Sequence, residues 1–391
     1  MPVVDLFCGC GGLSKGFELA GFDIVAGYDG WQSAVNCYNQ NFEHEAYRFN
    51  LSNVEDAVHE IGQYEPQVII GGPPCQEFSN AGRRQEGNLA DLTYKFAQIV
   101  IGVMPEFFVM ENVPRARESV AFSRARELYQ QHNYGLTEVV LDASYFGVPQ
   151  SRKRFFCVGA LGQADNFLLD SLFSACSDQV VTVRDYFEQN GIPLDVDAYY
   201  RHPTTYSRRA IFSVDEIAPT IRGVNRPRPS TYRHHPNDAV EANAVANVNR
   251  LDLATRASIQ TFPVNFVFGG LGIAQCELEQ MVGNAVPVQL AERVAMSLLE
   301  YIEGGNDVMN EREEFATWLR EKKHYSDRSI SDVFSRLNRA AAILPGHEMN
   351  IYYIVDLENV DAYQQLGTSV KSQIRKAINL KLAYLRTLEN H

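Results

Sequence analysis

The chain has 391 residues, 45% hydrophobic and 21% charged, a balance that can bury one large core and something smaller beside it. No apolar stretch reaches membrane length, the first strand begins at Pro2-Val3 with no room for a signal peptide, and the seven scattered cysteines suit a reducing compartment; a cytoplasmic protein without membrane contact is expected. The net charge of −13 stands against a nucleic-acid partner at face value, so the distribution of charge along the chain has to decide that question.

The first predicted unit is a strand through Val3-Val4, a turn Asp5-Leu6-Phe7-Cys8-Gly9-Cys10-Gly11-Gly12, and a helix patterned by Leu13, Phe17, Leu19 and Ala20. The glycines allow a tight turn and close backbone approach, and the helix start offers unpaired N–H groups to an anionic part of a ligand. A second strand over 23–28 ends in Asp29, where an acidic side chain commonly binds a ribose hydroxyl pair. No phosphate-binding lysine accompanies the turn, so a ribose-bearing cofactor with little phosphate charge fits it. Cys8 and Cys10 have no paired cysteine or histidine at zinc-ligand spacing, and no metal site is expected there.

Gln67-Val68-Ile69-Ile70 reads as a buried parallel strand, cut off by Gly71-Gly72-Pro73-Pro74 just before Cys75-Gln76-Glu77-Phe78-Ser79. Ligands of open α/β sheets bind at the carboxyl edge of the strands, so Cys75 is the candidate nucleophile rather than a core filler. Phe107-Phe108-Val109-Met110-Glu111-Asn112-Val113 is another apolar strand and delivers Glu111 to the same edge. In Gln150-Ser151-Arg152-Lys153-Arg154 the alternate arginines of an extended chain point to one side.

From 201 to 235 the chain carries Arg201, Arg208, Arg209, Arg222, Arg226, Arg228 and Arg233 with three histidines, opposed only by Asp215 and Glu216. This is a phosphate-binding footprint on an otherwise acidic protein. Gln280-Met281-Val282-Gly283-Asn284-Ala285-Val286-Pro287 then opens a helix through Ala291, Val294, Ala295 and Leu298. Beyond Gly304-Gly305-Asn306, read as a linker, residues 311–391 are helical in period: Phe315, Trp318 and Leu319, then Val333, Leu337 and Leu344, then Ile374, Ile378 and Leu382. Ser326-Asp327 and Thr368-Ser369 are expected helix starts.

Taken in this order, Phe7 to Gly12, Pro73-Pro74-Cys75-Gln76, Glu111-Asn112-Val113, Gln150-x-Arg152-x-Arg154 and Gly283-Asn284-Ala285-Val286-Pro287 resemble the motifs of the DNA cytosine-5 methyltransferase family, over roughly residues 3–300. The resemblance implies an α/β fold, a doubly wound and mostly parallel Rossmann-like sheet, with a small target-recognition lobe and a C-terminal helical module. Residues 1–159 and 246–303 form the catalytic domain in this reading, 160–245 the recognition region and 306–391 the helical domain. The cofactor implied is S-adenosylmethionine, leaving as S-adenosylhomocysteine, with contacts from Phe7, Gly9, Gly11, Asp29, Leu92, Asn284 and Val286. Asn50 stands where the family usually has an aspartate toward the adenine amino group and keeps an acceptor oxygen; Thr255 replaces a customary glutamate.

The implied activity is methyl transfer to C5 of a cytosine in a short duplex site. Carbon 5 of the aromatic ring is a poor nucleophile until a thiolate adds to C6, and Cys75 supplies that thiolate. Glu111, Arg152 and Arg154 are expected around the base, Glu111 sharing a proton at N3 and an arginine stabilising charge at O2. C6 is inaccessible in stacked duplex, so the cytosine must rotate out, and the polar segment 76–91 is expected to close over it, with Gln76 and Ser79 touching DNA. Thr220 is implied to contact DNA backbone, and Arg208, Arg209, Arg226 and Arg228 to meet phosphates or read guanine.

Double-stranded DNA is thus the expected partner, bound by a monomer, in a prokaryotic, nucleoid-associated protein that modifies DNA for a restriction system with its cognate endonuclease. An RNA cytosine-5 methyltransferase shares the same core, and a catalytically idle DNA-binding relative would lack the nucleophile or the acid, both of which stand here. The tail weakly resembles the small DNA-gripping helical domains of tyrosine recombinases, and equally fits an appendage for stability or dimerisation.

Overall fold

The computed structural model describes residues 1–74, 92–177, 179–205, 208–270, 272–344, 347, 349 and 352–388, with the backbone alone considered at 305–313, 327, 328, 331, 338 and 342. Cys75, Gln76 and Ser79 therefore lie outside the described residues. The elements of the first part follow in strict alternation: β1 (Pro2–Leu6), α1 (Gly12–Leu19), β2 (Asp23–Asp29), α2 (Gln32–Tyr38), β3 (Ala46–Arg48), α3 (Val54–Gly62), β4 (Val68–Gly71), α4 (Leu92–Val103), β5 (Phe107–Asn112) and α5 (Val120–Gln131). They are followed by β6 (Tyr134–Asp142), β7 (Gln150–Ser151) and β8 (Lys153–Leu161).

Seven of these strands form one sheet in the order β3-β2-β1-β4-β5-β8-β6. The pairs from β3 to β5 are parallel, because each is joined by a helical crossover, whereas β8 runs antiparallel to β5 and β6. The connection from β6 to β8 is too short to carry a crossover helix, so the chain has to turn back. The doubly wound, mostly parallel sheet expected from the sequence is the one found. Val3, Val4, Val68, Ile69 and Ile70 are fully buried, as strands covered on both faces require.

One face of the sheet packs Val4, Ile69 and Phe108 against Ala57 and Ile61 of α3, Phe96 and Val100 of α4 and Phe122 of α5. Each such large side chain contributes about 1.5–3 kcal/mol through burial. A second core gathers Cys10, Val183, Phe187, Ala257, Ile259, Met281, Val282 and Val288. It is built from α7 (Val183–Gln189), α8 (Leu253–Ile259), α9 (Gln275–Asn284) and the start of α10 (Val288–Lys323), α6 (Leu169–Ser174) preceding them. A small cluster of Tyr200, Ala210, Ile211, Val245 and Val248 holds the basic region, where β9 (Ala198–Tyr200) and β10 (Ile211–Ser213) pair antiparallel. The two-residue strand β11 (Ala218–Pro219) returns to pair in parallel with β7.

The chain leaves β1 for β2 on one side and takes β4 on the other. The crevice of an open α/β sheet opens at such a reversal, beyond the carboxyl ends, where Phe7 and Gly72 follow β1 and β4.

Residues 302–391 form a second compact unit. It contains the end of α10, α11 (Asp327–Ile343), α12 (Tyr353–Glu358), α13 (Asp361–Gln364) and α14 (Thr368–Leu388) around Phe315, Leu319, Val333, Leu337, Ile374 and Ile378. Ser326 caps α11, its Oγ accepting the Ser329 N–H at 3.3 Å, and α14 begins at Thr368. Gly304 and Gly305 fall within the range of α10, helical where the sequence suggested a linker. Two interior glycines cost a helix about 1 kcal/mol each, but strong helix formers flank them on both sides. Among the described residues no helix is long and apolar enough to cross a membrane.

Candidate active site

The turn after β1 is set in left-handed backbone: φ is 58° at Phe7, 57° at Gly9 and 93° at Gly11, the cap of α1. Asp29 at the end of β2 fixes the turn, its Oδ2 accepting the Gly9 N–H at 2.9 Å and its Oδ1 the Trp31 N–H at 2.7 Å. Burial raises the Asp29 carboxyl above the usual range, against these backbone donors. Open space lies where a Cβ of Gly9 would be, so the crevice has room for a ligand beside a carboxylate of the kind that binds ribose. Behind the turn, a Cβ on Gly12 would meet the Val286 carbonyl at 2.6 Å, so Val286, expected far along the chain as a cofactor contact, is brought to the turn. Leu92 opens α4 and is buried, and Asn284 is exposed at the end of α9. Asn50 is exposed after β3, its Oδ1 accepting from the Ser52 N–H and hydroxyl at 3.1 and 2.6 Å. Cys8 and Cys10 are buried, and burial holds both thiols well above the usual range.

Beneath the turn Asp5 is fully buried, its Oδ2 accepting from the Ser14 hydroxyl at 2.5 Å, with Tyr38 and His44 continuing the chain of hydrogen bonds at 2.8 Å each. Burial pushes the Asp5 carboxyl up to about 8. The folded protein thus keeps this proton to a higher pH than the unfolded chain does. The associated stability is complete below about pH 4 and is lost as pH rises toward about 8, with a slope of up to about 1.4 kcal/mol per unit. Urea unfolding at pH 5 and pH 8 should show this fall in wild type, and Asp5→Asn should flatten it.

Glu111 and Arg154 meet across the antiparallel β5–β8 seam, Arg154 Nε lying 2.8 Å from Glu111 Oε1. Glu111 is buried, and the Arg154 side chain is 13% exposed. Burial raises the Glu111 carboxyl, and the Arg154 and Arg152 guanidiniums limit the rise. A Cβ on Gly72 would stand 3.2 Å from Glu111 Oε2, and the next residue on β5, Asn112, donates from Nδ2 to the Pro73 carbonyl at 3.0 Å. The acid and the segment that leads into Cys75 are therefore tied together. Asn112, 3% exposed, carries this tie, and the sequence reading gave it no role; a second polar residue after Glu111, closing an otherwise apolar strand, was the available signal.

Arg152 is placed differently from Arg154. It is 1% exposed, Nη1 donating to the Ile221 carbonyl at 2.8 Å and Nη2 to the carbonyls of Gly283 and Ala285 at 2.8 and 2.9 Å. Its guanidinium grips backbone from two distant segments, and burial lowers its pKa well below the ordinary value. Gln150 and Gln260, both fully buried, complete the joint. Gln150 takes the Ile221 N–H on Oε1 and donates to Gln260 Oε1, both at 2.8 Å, while Gln260 donates to the Val282 carbonyl at 2.6 Å. Gln260 follows α8 as its C-cap, and this bridging role is set by the fold.

Thr220, next to β11, donates from Oγ1 to the Ser151 carbonyl at 2.8 Å, so it is held at the end of β7, one residue before Arg152. The basic region is less uniform than its sequence. Arg208 and Arg226 are exposed. Arg209 pairs with Glu216 at 2.5 Å and lies 4.3 Å over the Phe212 ring, and Arg228 donates to the carbonyls of Ala246 and Val248 at 3.2 and 3.4 Å. Arg201, Arg208, Arg209 and His235 line one cleft. The buried pair Arg256–Glu279, with Asn225 donating to Glu279 at 2.9 Å, went unread in the sequence because its partners are separated along the chain.

Residues 1–300 match the family described as C-5 cytosine-specific DNA methylase. The Type II methyltransferase M.HindV of Haemophilus influenzae is 48% identical over 302 residues, covering 77% of this chain and 97% of its own. M.HgiDI of Herpetosiphon aurantiacus, also a Type II methyltransferase, is 50% identical over 303 residues, with 77% and 95% covered. Among solved structures, the Schizosaccharomyces pombe Dnmt2 methyltransferase superposes with a TM-score of 0.58 at 18% identity, covering 77% of this chain and 98% of that one. That likeness is one of fold.

Proposed function

The chain belongs to the C-5 cytosine-specific DNA methylase family, and from that premise we propose that it methylates C5 of a flipped-out cytosine in a short duplex site, through a covalent bond between Cys75 and C6. The observation that carries this reading is the Glu111–Arg154 pair with Glu111 Oε2 against Gly72, three residues before Cys75. The names of the two bacterial relatives support a modification enzyme paired with a cognate restriction endonuclease.

The turn at Phe7, Gly9 and Gly11, with Asp29, Leu92, Asn284 and Val286, suits S-adenosylmethionine, which when bound supplies the electrophilic methyl group that C5 takes up. The remaining steps belong to the chain. Cys75 adds to C6 and raises electron density at C5. Negative charge develops toward N3 and O2, and Glu111, with its raised pKa, shares a proton at N3 while accepting from the N4 amino group. Arg154, already oriented by Glu111, stabilises O2. Arg152 acts as a positioning residue, fixing the strand on which Arg154 sits. A base acting through water then takes the C5 proton, the Cys75–C6 bond breaks to return the thiolate, and the aromatic ring is restored.

Incubating the protein with S-adenosylmethionine and either duplex DNA or transfer RNA, followed by bisulfite sequencing, tests the reading. Conversion-resistant cytosine confined to one duplex sequence is expected. Transfer to RNA alone would overturn the DNA assignment.

In the recognition region, Arg208→Ala and Arg226→Ala should weaken binding of all duplexes alike and lower the salt slope by about one each, if both meet phosphates. An arginine that reads guanine should instead cost about 1–3 kcal/mol at one base pair only. Arg209→Ala is expected to do less, since Glu216 already holds that guanidinium.

A further inference from the structure

The second compact unit has no role in the chemistry above, yet it carries a cationic cleft. Five cations, Lys371, Arg375, Lys376, Lys381 and Arg386, lie on α14 with no acidic residue in that helix. Arg375 and Lys376 meet Lys323, from the end of α10, along a shared cleft, and a cavity of about 510 Å3 continues from Lys323 and Lys376 to His324 and Arg336. The left-handed backbone of His324, φ 57°, ends α10 and turns the chain into α11 at this point. Asp332 is the carboxylate lining the cavity, 3.8 Å from Arg336, and Glu358 pairs with Arg375 at 2.6 Å. Lys323 lies 5.0 Å over the Trp318 ring, an arrangement that steers the ammonium without neutralising it. Ser326 and Ser329, at the amino end of α11, line the same cavity, where the helix dipole adds positive partial charge.

In a chain of net charge −13 such a cleft is a local reversal of sign, and an anionic protein that binds an anionic polymer must do so through patches of this kind. We infer that the cleft framed by Lys323, Arg336 and Lys376 grips the phosphate backbone of duplex DNA, as a sequence-independent hold additional to the recognition region. The inference rests on the reading of the chain as a DNA methyltransferase.

The test uses the full chain. Lys323→Gln combined with Lys376→Gln should weaken cognate and scrambled duplexes equally, by about tenfold or more at 0.1 M salt, and reduce the slope of log K against log salt by roughly two. Asp332→Asn, which removes a surface carboxylate from the cleft, should tighten binding severalfold. Unchanged affinity and slope in the double variant, with thermal unfolding like that of wild type, overturn the proposal, as does transfer RNA bound more tightly than duplex at the same cleft. Methylation by wild type, assayed alongside, separates the two ideas. A wild type that grips but never methylates DNA defeats the functional reading alone, and a methylating enzyme whose double variant binds normally defeats the grip alone.

Discussion

Cys75→Ser is expected to abolish methyl transfer, a loss on the order of 10^6-fold, the scale seen when a covalent nucleophile is removed. A thiol ionises near pH 8.5 and yields a useful fraction of thiolate at neutral pH, whereas a serine hydroxyl in the same position yields almost none. The substitution leaves the turn at Gly9 and Asp29 untouched, so calorimetry should find S-adenosylmethionine bound nearly as in wild type. With 5-fluorocytosine in the target position the wild type should form a stable adduct, because fluorine cannot leave as a proton does. Near-normal turnover by the serine variant would falsify the covalent mechanism.

Arg152→Ala should be the most destabilising single change in the site, by roughly 3–5 kcal/mol. It takes this donor from the carbonyls of Ile221 and Gly283, leaves Ala285 with Gln260 Nε2 at 3.1 Å, and opens a cavity the size of an arginine. Arg152→Lys should rescue little of this, since a single ammonium cannot span carbonyls that the planar guanidinium meets from two sides. Thermal unfolding gives the readout. Arg154→Gln provides the contrast: turnover should fall steeply while much of the stability remains, because Glu111 can respond to the loss by keeping its proton.

The strands and the edge that carries the acid were legible because they obey simple rules. Val68-Ile69-Ile70 and Phe107 to Met110 are apolar runs of strand length ending in breakers or a carboxylate, and a parallel sheet leaves few other ways to bury them. Glycines and Asp29 likewise announced the turn after β1. The division of labour between Arg152 and Arg154 was not legible. Alternation predicts a common side for both, but β7 ends at Ser151 and β8 begins at Lys153, so the chain breaks its pleat between them and sends the guanidiniums to different partners. The basic run at 201–235 also overstated its free charge, since pairing of Arg209 with Glu216 and of Arg228 with carbonyls depends on folding that no spacing encodes. Gly304-Gly305 read as a break because composition alone cannot tell a linker from two tolerated glycines in a helix.

The joint at Arg152 has a consequence for how such an enzyme can diversify. Everything it holds across chain segments, at Ile221, Gly283 and Ala285, is main-chain oxygen, and the neighbouring Gln150 likewise meets the Ile221 amide. A socket that grips peptide groups is indifferent to which side chains hang from them. The loops between β8 and β11 can therefore be rewritten for a new target sequence without renegotiating the fastening to the methyl-transfer machinery, and inheritance of one catalytic engine by enzymes of many specificities becomes a matter of exchanging what lies between two fixed points on the backbone.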